Sequence, residues 1–162
     1  MDIVDSKTRS KMMASIRGKN TKPELMLRKQ LFALGFRYRL HEKLPGKPDI
    51  LLRKYRAAIF VHGCFWHRHH GCRYATTPKT RPEFWKAKFE SNVTRDHQNK
   101  NELLKLGWRV AIVWECGIKH TPDICAETVA SWLRSDLDTL EFPQTGNPNS
   151  GTMVRAVRTV SH

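Results

Sequence analysis

The chain has 162 residues, 40% of them hydrophobic. That is enough for one domain with a core, and no apolar run is long enough to span a membrane. Twenty-nine Lys and Arg against 15 Asp and Glu give a net charge of +14, which points to a polyanionic partner. Nucleic acid is favoured over an anionic membrane surface, because no continuous basic amphipathic helix is present.

The start of the sequence is polar and charged through Arg17, without the apolar stretch of a secretion signal, so a cytoplasmic, nucleoid-associated protein is expected. In such a setting Cys64, Cys72, Cys116 and Cys125 are better read as thiols or metal ligands than as disulfides.

Residues 5–16 read as a short helix with Met12, Met13 and Ile16 as a sparse apolar strip. Thr21-Lys22-Pro23-Glu24 is a helix start: a Thr cap, an early Pro, and Glu three residues on form a capping box. Leu27, Leu31 and Leu34 follow as a core-facing stripe, and Gly35 stops the helix. Residues 36–41 alternate like a strand, and Leu44-Pro45-Gly46 is a turn. Residues 48–52 and 57–62 are apolar runs around the charged turn 53–56. They form a hairpin whose register is expected to set Asp49 directly across from His62.

Residues 63–78 are rich in Gly, His, Cys and Arg and lack periodicity, a long loop that needs a metal or a function to hold it. Pro82 opens a helix with Trp85, Phe89 and Val93 on one stripe, running to Leu106 before Gly107. Trp108 to Trp114 alternates as a buried strand, and a last helix from Pro122 to about Ser135 buries Val129, Trp132 and Leu133. The order of elements implies an α/β or α+β domain with a central mixed β-sheet flanked by helices. Composition changes after Asp136, so residues 1–140 are expected to form the domain and 141–162 a disordered tail.

The chemistry concentrates in His62-Gly63-Cys64-Phe65-Trp66-His67-Arg68-His69-His70-Gly71-Cys72. A tetrahedral zinc site needs four soft donors; Cys64, His69 and Cys72 supply three, and Cys116 supplies the fourth from the end of its strand. Full ligation leaves no position for water, so this zinc is expected to be structural. Cys125 falls on the apolar stripe of the last helix and reads as core. Pro48-Asp49 has the look of a nuclease metal-binding strand. The acidic-x-Lys triplet that usually follows is replaced by Phe60-Val61-His62, so this pattern alone is degenerate.

The run Ile59-Phe60-Val61-His62-Gly63-Cys64-Phe65-Trp66-His67 resembles the very short patch repair endonuclease family, Vsr. Further matches are Thr8-Arg9-Ser10-Lys11, Pro45-Gly46-Lys47-Pro48-Asp49, Phe84-Trp85, Asn92-Val93, Arg95-Asp96, and Leu106 through Cys116, so the resemblance covers about residues 5–135. It implies a restriction-endonuclease-like fold, a structural Zn2+, and a Mg2+-dependent nick of double-stranded DNA beside the T of a T:G mismatch. This is the step that opens repair of deaminated 5-methylcytosine.

By the same resemblance Asp49 matches the acidic Mg2+ ligand, and Val61 stands where a backbone carbonyl is the second. His67 matches the histidine that activates water, with His62 and Asp96 beside the scissile phosphate. Glu24 matches another acid near the site, though the capping box explains it equally well. Cys64, His69, Cys72 and Cys116 match the zinc ligands, with His70 the alternative to His69. Phe65, Trp66 and Trp85 match an intercalating wedge, and Met13, in a DNA-contacting segment 1–20, an apolar contact from the other groove. Trp85 also reads as core, sharing its stripe with Phe89 and Val93. Arg68, Arg73, Lys79, Arg81, Lys86 and Lys88 would meet phosphates.

Two other readings compete: a nuclease without mismatch specificity, and a zinc-stabilised DNA-binding module without catalysis. Asp49, His62, His67 and Asp96 together argue against the second, because binding alone does not require them. A monomer is expected, with mismatch-repair proteins as possible partners.

Overall fold

Thr21 caps helix α1 (Lys22–Ala33), its Oγ1 accepting the Glu24 N–H at 3.4 Å. Glu24 reaches back one residue beyond the cap, and its Oε2 accepts the Asn20 N–H at 2.6 Å. Leu27 and Leu31 are fully buried. Leu34, expected on the same stripe, is 44% exposed because it is the C-cap, past the last core-facing turn. Gly35 then takes a left-handed φ of 97°. Its N–H and that of Phe36 close back on the carbonyls of Phe32 and Leu31, which turns the chain into the core at Phe36.

This computed structural model describes residues 20–144; the expected helix at 5–16, with Met13, and the end of the expected tail lie outside the described residues. A five-stranded sheet runs in the order β1 (Arg39–Leu40), β2 (Ile50–Leu52), β3 (Ala57–His62), β4 (Arg109–Trp114), β5 (Thr139–Phe142). The pairs β1–β2 and β2–β3 are antiparallel, β3–β4 and β4–β5 parallel, so the sheet is mixed, as the order of elements implied.

The hairpin register differs from the expected one. Leu52 pairs with Ala57 and Ile50 with Ile59, which sets Asp49 level with Phe60, not His62. The connection is the expected four residues 53–56, formed by the single 3-10 turn Arg53–Tyr55 and left-handed Arg56. Closed symmetrically it pairs Leu52 with Ala57, and that pairing carried along the ladder puts position 60 opposite 49, two short of the expected partner. A two-residue offset keeps side chains on the same face, so Asp49 and His62 still share one side of the sheet.

Helices cover both faces. On one, α1 and α4 (Pro122–Leu133) pack Leu27, Leu31, Val129 and Leu133 against Ile50, Ile59 and Val113. On the other, α2 (Pro82–Lys105) sets Leu103 against Leu51, Ala58, Phe60 and Val110. Only Phe89 and Leu103 of its 24 residues are buried.

Two elements were not foreseen. A short α3 (Glu115–His120) follows β4 directly, and β5 takes in residues 141 and 142, which the composition places in the tail. Leu140 and Phe142 are buried beside β4, and that burial makes this short segment a strand. Among the described residues no helix is long and apolar enough to cross a membrane.

Candidate active site and metal centre

Strands β3 and β4 are parallel and end level, His62 beside Trp114. The loop after β3 and helix α3 after β4 therefore meet at the same sheet end, where Glu115 Oε1 accepts the Cys64 N–H at 3.0 Å. The loop is wound on itself: the His67 N–H bonds the Gly63 carbonyl and the His69 N–H that of Cys64, each at 3.1 Å.

Arg68 holds the loop from inside, which corrects its expected place on a DNA phosphate. Its guanidinium donates to the carbonyls of Phe65, Ala75 and Thr76 and to the Thr77 hydroxyl, at 2.8–3.3 Å, and lies 4.0 Å above the Phe89 ring.

Cys64, His69, Cys72 and Cys116 are all buried, and their four ligand atoms lie within 4.8 Å of one another. Nδ1 of His69 is 3.4 Å from Cys116 Sγ and 3.7 Å from Cys64 Sγ. Its Nε2 donates to the Pro143 carbonyl at 2.8 Å, which leaves Nδ1 as the lone-pair nitrogen facing the thiols. His70 is exposed and outside the cluster. The ring of His69 stacks on Trp114 at 4.3 Å. The neighbouring Cys116 thiol and then burial push the Cys64 thiol well up, and burial raises Cys72. A bound cation reverses that preference by stabilising thiolates. Three sulfurs and one nitrogen, all buried, suit zinc with no open position. Cys125 sits in the main core, where burial pushes its thiol up to about 12.

Next to this cluster lies a cavity of about 870 Å3, lined among others by Glu24, Asp49, Val61, His62, His67 and Asp96. Oδ2 of Asp49 accepts the Val61 N–H at 2.7 Å. The N–H and C=O of one strand residue point to the same side, so the Val61 carbonyl faces this edge too. Burial lifts the Asp49 carboxyl to about 7; the Val61 N–H opposes the rise and the Glu24 charge adds to it.

The rings of His62 and His67 stack at 3.8 Å, 8° from parallel. Burial first, and the neighbouring His67 second, hold His62 well below the ordinary histidine range. Nδ1 of His67 is 2.6 Å from Asp96 Oδ2, so in the neutral ring Nδ1 carries the proton and Nε2 the lone pair.

Helix α2 closes the cavity with Lys88, Asn92, Arg95, Asp96 and Asn99, positions that recur on one helical face. Phe65 and Trp66 line the cavity, and Phe65 meets Trp66 at 5.1 Å, Trp85 at 5.8 Å and Phe89 at 5.2 Å, all edge to face. Phe89 is buried, whereas Phe65, Trp66 and Trp85 are half-buried. Trp85 thus belongs to this aromatic cluster, not to the sheet core. Asn92 ties the cluster to α2 by donating to the Trp66 carbonyl at 3.2 Å.

The DNA mismatch endonuclease Vsr of Escherichia coli is 42% identical to this chain over 137 residues, 82% of this chain and 87% of that protein. The chain belongs to the Vsr family. The profile of that family, described as DNA mismatch endonuclease Vsr, matches residues 1–73. A type II nicking enzyme of Neisseria meningitidis is 44% identical over 138 residues, 85% of this chain and 97% of its own length. Another, from Xanthomonas oryzae pv. oryzae, is 47% identical over 116 residues, 71% of this chain and 85% of its own. As a Vsr-family protein the chain is a DNA endonuclease, a hydrolase that acts on DNA.

The fold also brings in residues that no sequence pattern marked. His41 Nε2 lies 3.3 Å from Glu24 Oε1, and the ligand atoms of Glu24, His41 and Asp49 fall within 4.8 Å of one another. The only trace of His41 in the sequence was a polar residue ending an alternating run. Glu115 and Lys119 also line the cavity and are 3.6 Å apart, brought there by the unforeseen α3.

Proposed function

We propose that this Vsr-family enzyme nicks one strand of double-stranded DNA 5′ to the T of a T:G mismatch, with Mg2+ at Asp49, opening short-patch repair of deaminated 5-methylcytosine. The observation that carries the reading is the line Asp96–His67–His62 beside Asp49 in one cavity. A zinc-stabilised binding module needs no such line. The pairing of a Pro-Asp strand edge with a mixed sheet supports a restriction-endonuclease-like fold.

Asp49 and the Val61 carbonyl are suited to hold a hard, oxygen-seeking cation. When bound, Mg2+ supplies charge neutralisation at the phosphate and a lowered pKa for water. His67 offers Nε2 to the attacking water, and the Asp96 carboxylate balances the charge that arrives on the ring. Of the two stacked rings only one can carry that charge. Burial disfavours a charge on His62, which favours His67 as the ring that takes the proton. The cavity-facing Lys88 and Arg95 would meet the backbone phosphates.

Phe65, Trp66 and Trp85 form the wedge that replaces stacking beside the mismatch, with Met13 entering from the other groove. A T:G wobble costs less to unstack than a matched pair. The Cys64, His69, Cys72 and Cys116 cluster holds Zn2+ and fixes the loop. The enzyme acts as a monomer and hands its nick to mismatch-repair proteins.

The test is a labelled duplex with one T:G pair in several flanking contexts, with Mg2+ and with EDTA, on wild type and Asp49→Ala. A single Mg2+-dependent nick on the T strand, absent from matched DNA and from the variant, is the expected result. Tight binding with no nick in any context would reduce the protein to a binding module.

A further inference from the structure

The cation site at Asp49 has more donors than Asp49 and Val61. Glu24 is 2% exposed, and its Oε1 has no hydrogen-bond partner. His41 Nε2, also buried and also without a hydrogen bond, stands 3.3 Å from that oxygen. The two atoms pair with each other only through a proton on His41; without it both are buried and unsatisfied, and a cation between them would satisfy both. His41 is held there by a left-handed backbone, φ 52°, rare for a residue with a side chain. A ring nitrogen of His41, a Glu24 oxygen and an Asp49 oxygen lie within 4.8 Å of one another, the spread of ligands around one ion.

We propose that Glu24, His41 and Asp49 together grip one divalent cation, with His41 Nε2 as a nitrogen ligand, so that this site takes Mn2+ more tightly than Mg2+. The proposal rests on the reading of Asp49 as a metal ligand and adds two residues to it. Mg2+ strongly prefers oxygen, whereas an imidazole ligand favours the later divalent ions. The capping box gives Glu24 a second duty: Asn20 and Thr21 fix the helix start, and the helix start aims the free oxygen.

The experiment uses the full chain with its zinc retained, without DNA, and Mn2+ alone as probe. Electron paramagnetic resonance counts bound Mn2+, and electron spin echo modulation detects directly coordinated nitrogen. Calorimetry gives Mn2+ and Mg2+ affinities for wild type, His41→Gln, His41→Ala and Asp49→Asn, with circular dichroism to check folding. Nitrogen modulation in wild type, lost in both folded His41 variants, is expected. Mn2+ affinity should fall at least about tenfold while Mg2+ affinity changes much less.

Modulation and affinity unchanged in a His41 variant, with binding lost in Asp49→Asn, would overturn the His41 ligand and leave the Asp49 reading standing. Binding unchanged in every variant would overturn both. Wild-type Mn2+ bound without any nitrogen modulation would overturn the proposal whether or not the His41 variants fold.

Discussion

Two clusters of residues that could hold a metal grow from the end of β3 and differ in almost every respect. The Cys64, His69, Cys72 and Cys116 group is sulfur-rich and buried, with its histidine locked by the Pro143 carbonyl. The Asp49 group is built of carboxylates, imidazoles and a backbone edge, and it opens on a cavity. Only Gly63 separates His62 of one from Cys64 of the other. A closed soft site lends rigidity, and an open hard site leaves room for substrate. The chain couples them, since His67 lies between Cys64 and His69 and its position depends on the loop they anchor.

The comparison breaks most completely through the closed site. Cys116→Ser removes one of four donors and should lose bound zinc and at least about 4 kcal/mol of stability, with activity falling alongside. Metal content and urea unfolding measure the two, and full activity in a zinc-free variant would show that the clusters are independent.

The open site should respond in the reverse manner, losing rate but not fold. His67→Ala is expected to slow nicking about 10^2–10^4-fold. Asp96→Asn should cost less, because it disturbs His67 without removing it. Single-turnover rates with zinc content held constant separate these losses from unfolding.

Acidity sharpens the contrast further. In the cation-free protein Asp49 keeps its proton up to about 7, whereas the unfolded chain loses it near 3.8. The folded state therefore holds more protons across that window, and stability falls as pH rises through it. Asp49→Asn should flatten that fall. Cation affinity should do the opposite, climbing with pH until about 7 and then levelling, because the ion must displace the proton. A wild-type stability curve identical to that of Asp49→Asn would contradict the buried carboxyl.

The smallest effect belongs to the aromatic cluster. Trp66→Ala removes one stacking surface and should weaken binding to a mismatched duplex by about 1–3 kcal/mol. Matched duplex should be affected less, and equal losses on both, read by fluorescence titration, would make Trp66 a general contact.

Much of this architecture was legible in the residues. Thr21, Pro23 and Glu24 announce α1, Pro82 and Gly107 bracket α2, and the β3 and β4 runs are apolar at strand length. The cysteine spacing located the soft cluster because its donors are rare residue types. The rest depended on long-range contacts. Strand β5 has four residues and is followed at once by Pro143, so composition hid it until β4 supplied a neighbour. His41 meets Glu24 and Asp49 only because β1 pairs with β2 while α1 packs on a face of the same sheet. Arg68 looked like a phosphate ligand because nothing local shows that its carbonyl partners fold around it.

The most direct test of the two-site account is selective chelation. The purified protein would be treated briefly with EDTA, assayed for nicking of a T:G duplex, analysed for zinc and melted. Mg2+ would then be added back. The account predicts that nicking disappears and returns with Mg2+, while one zinc per chain and the melting temperature stay unchanged throughout. Activity that vanishes only when zinc leaves, and returns only with zinc, would contradict it.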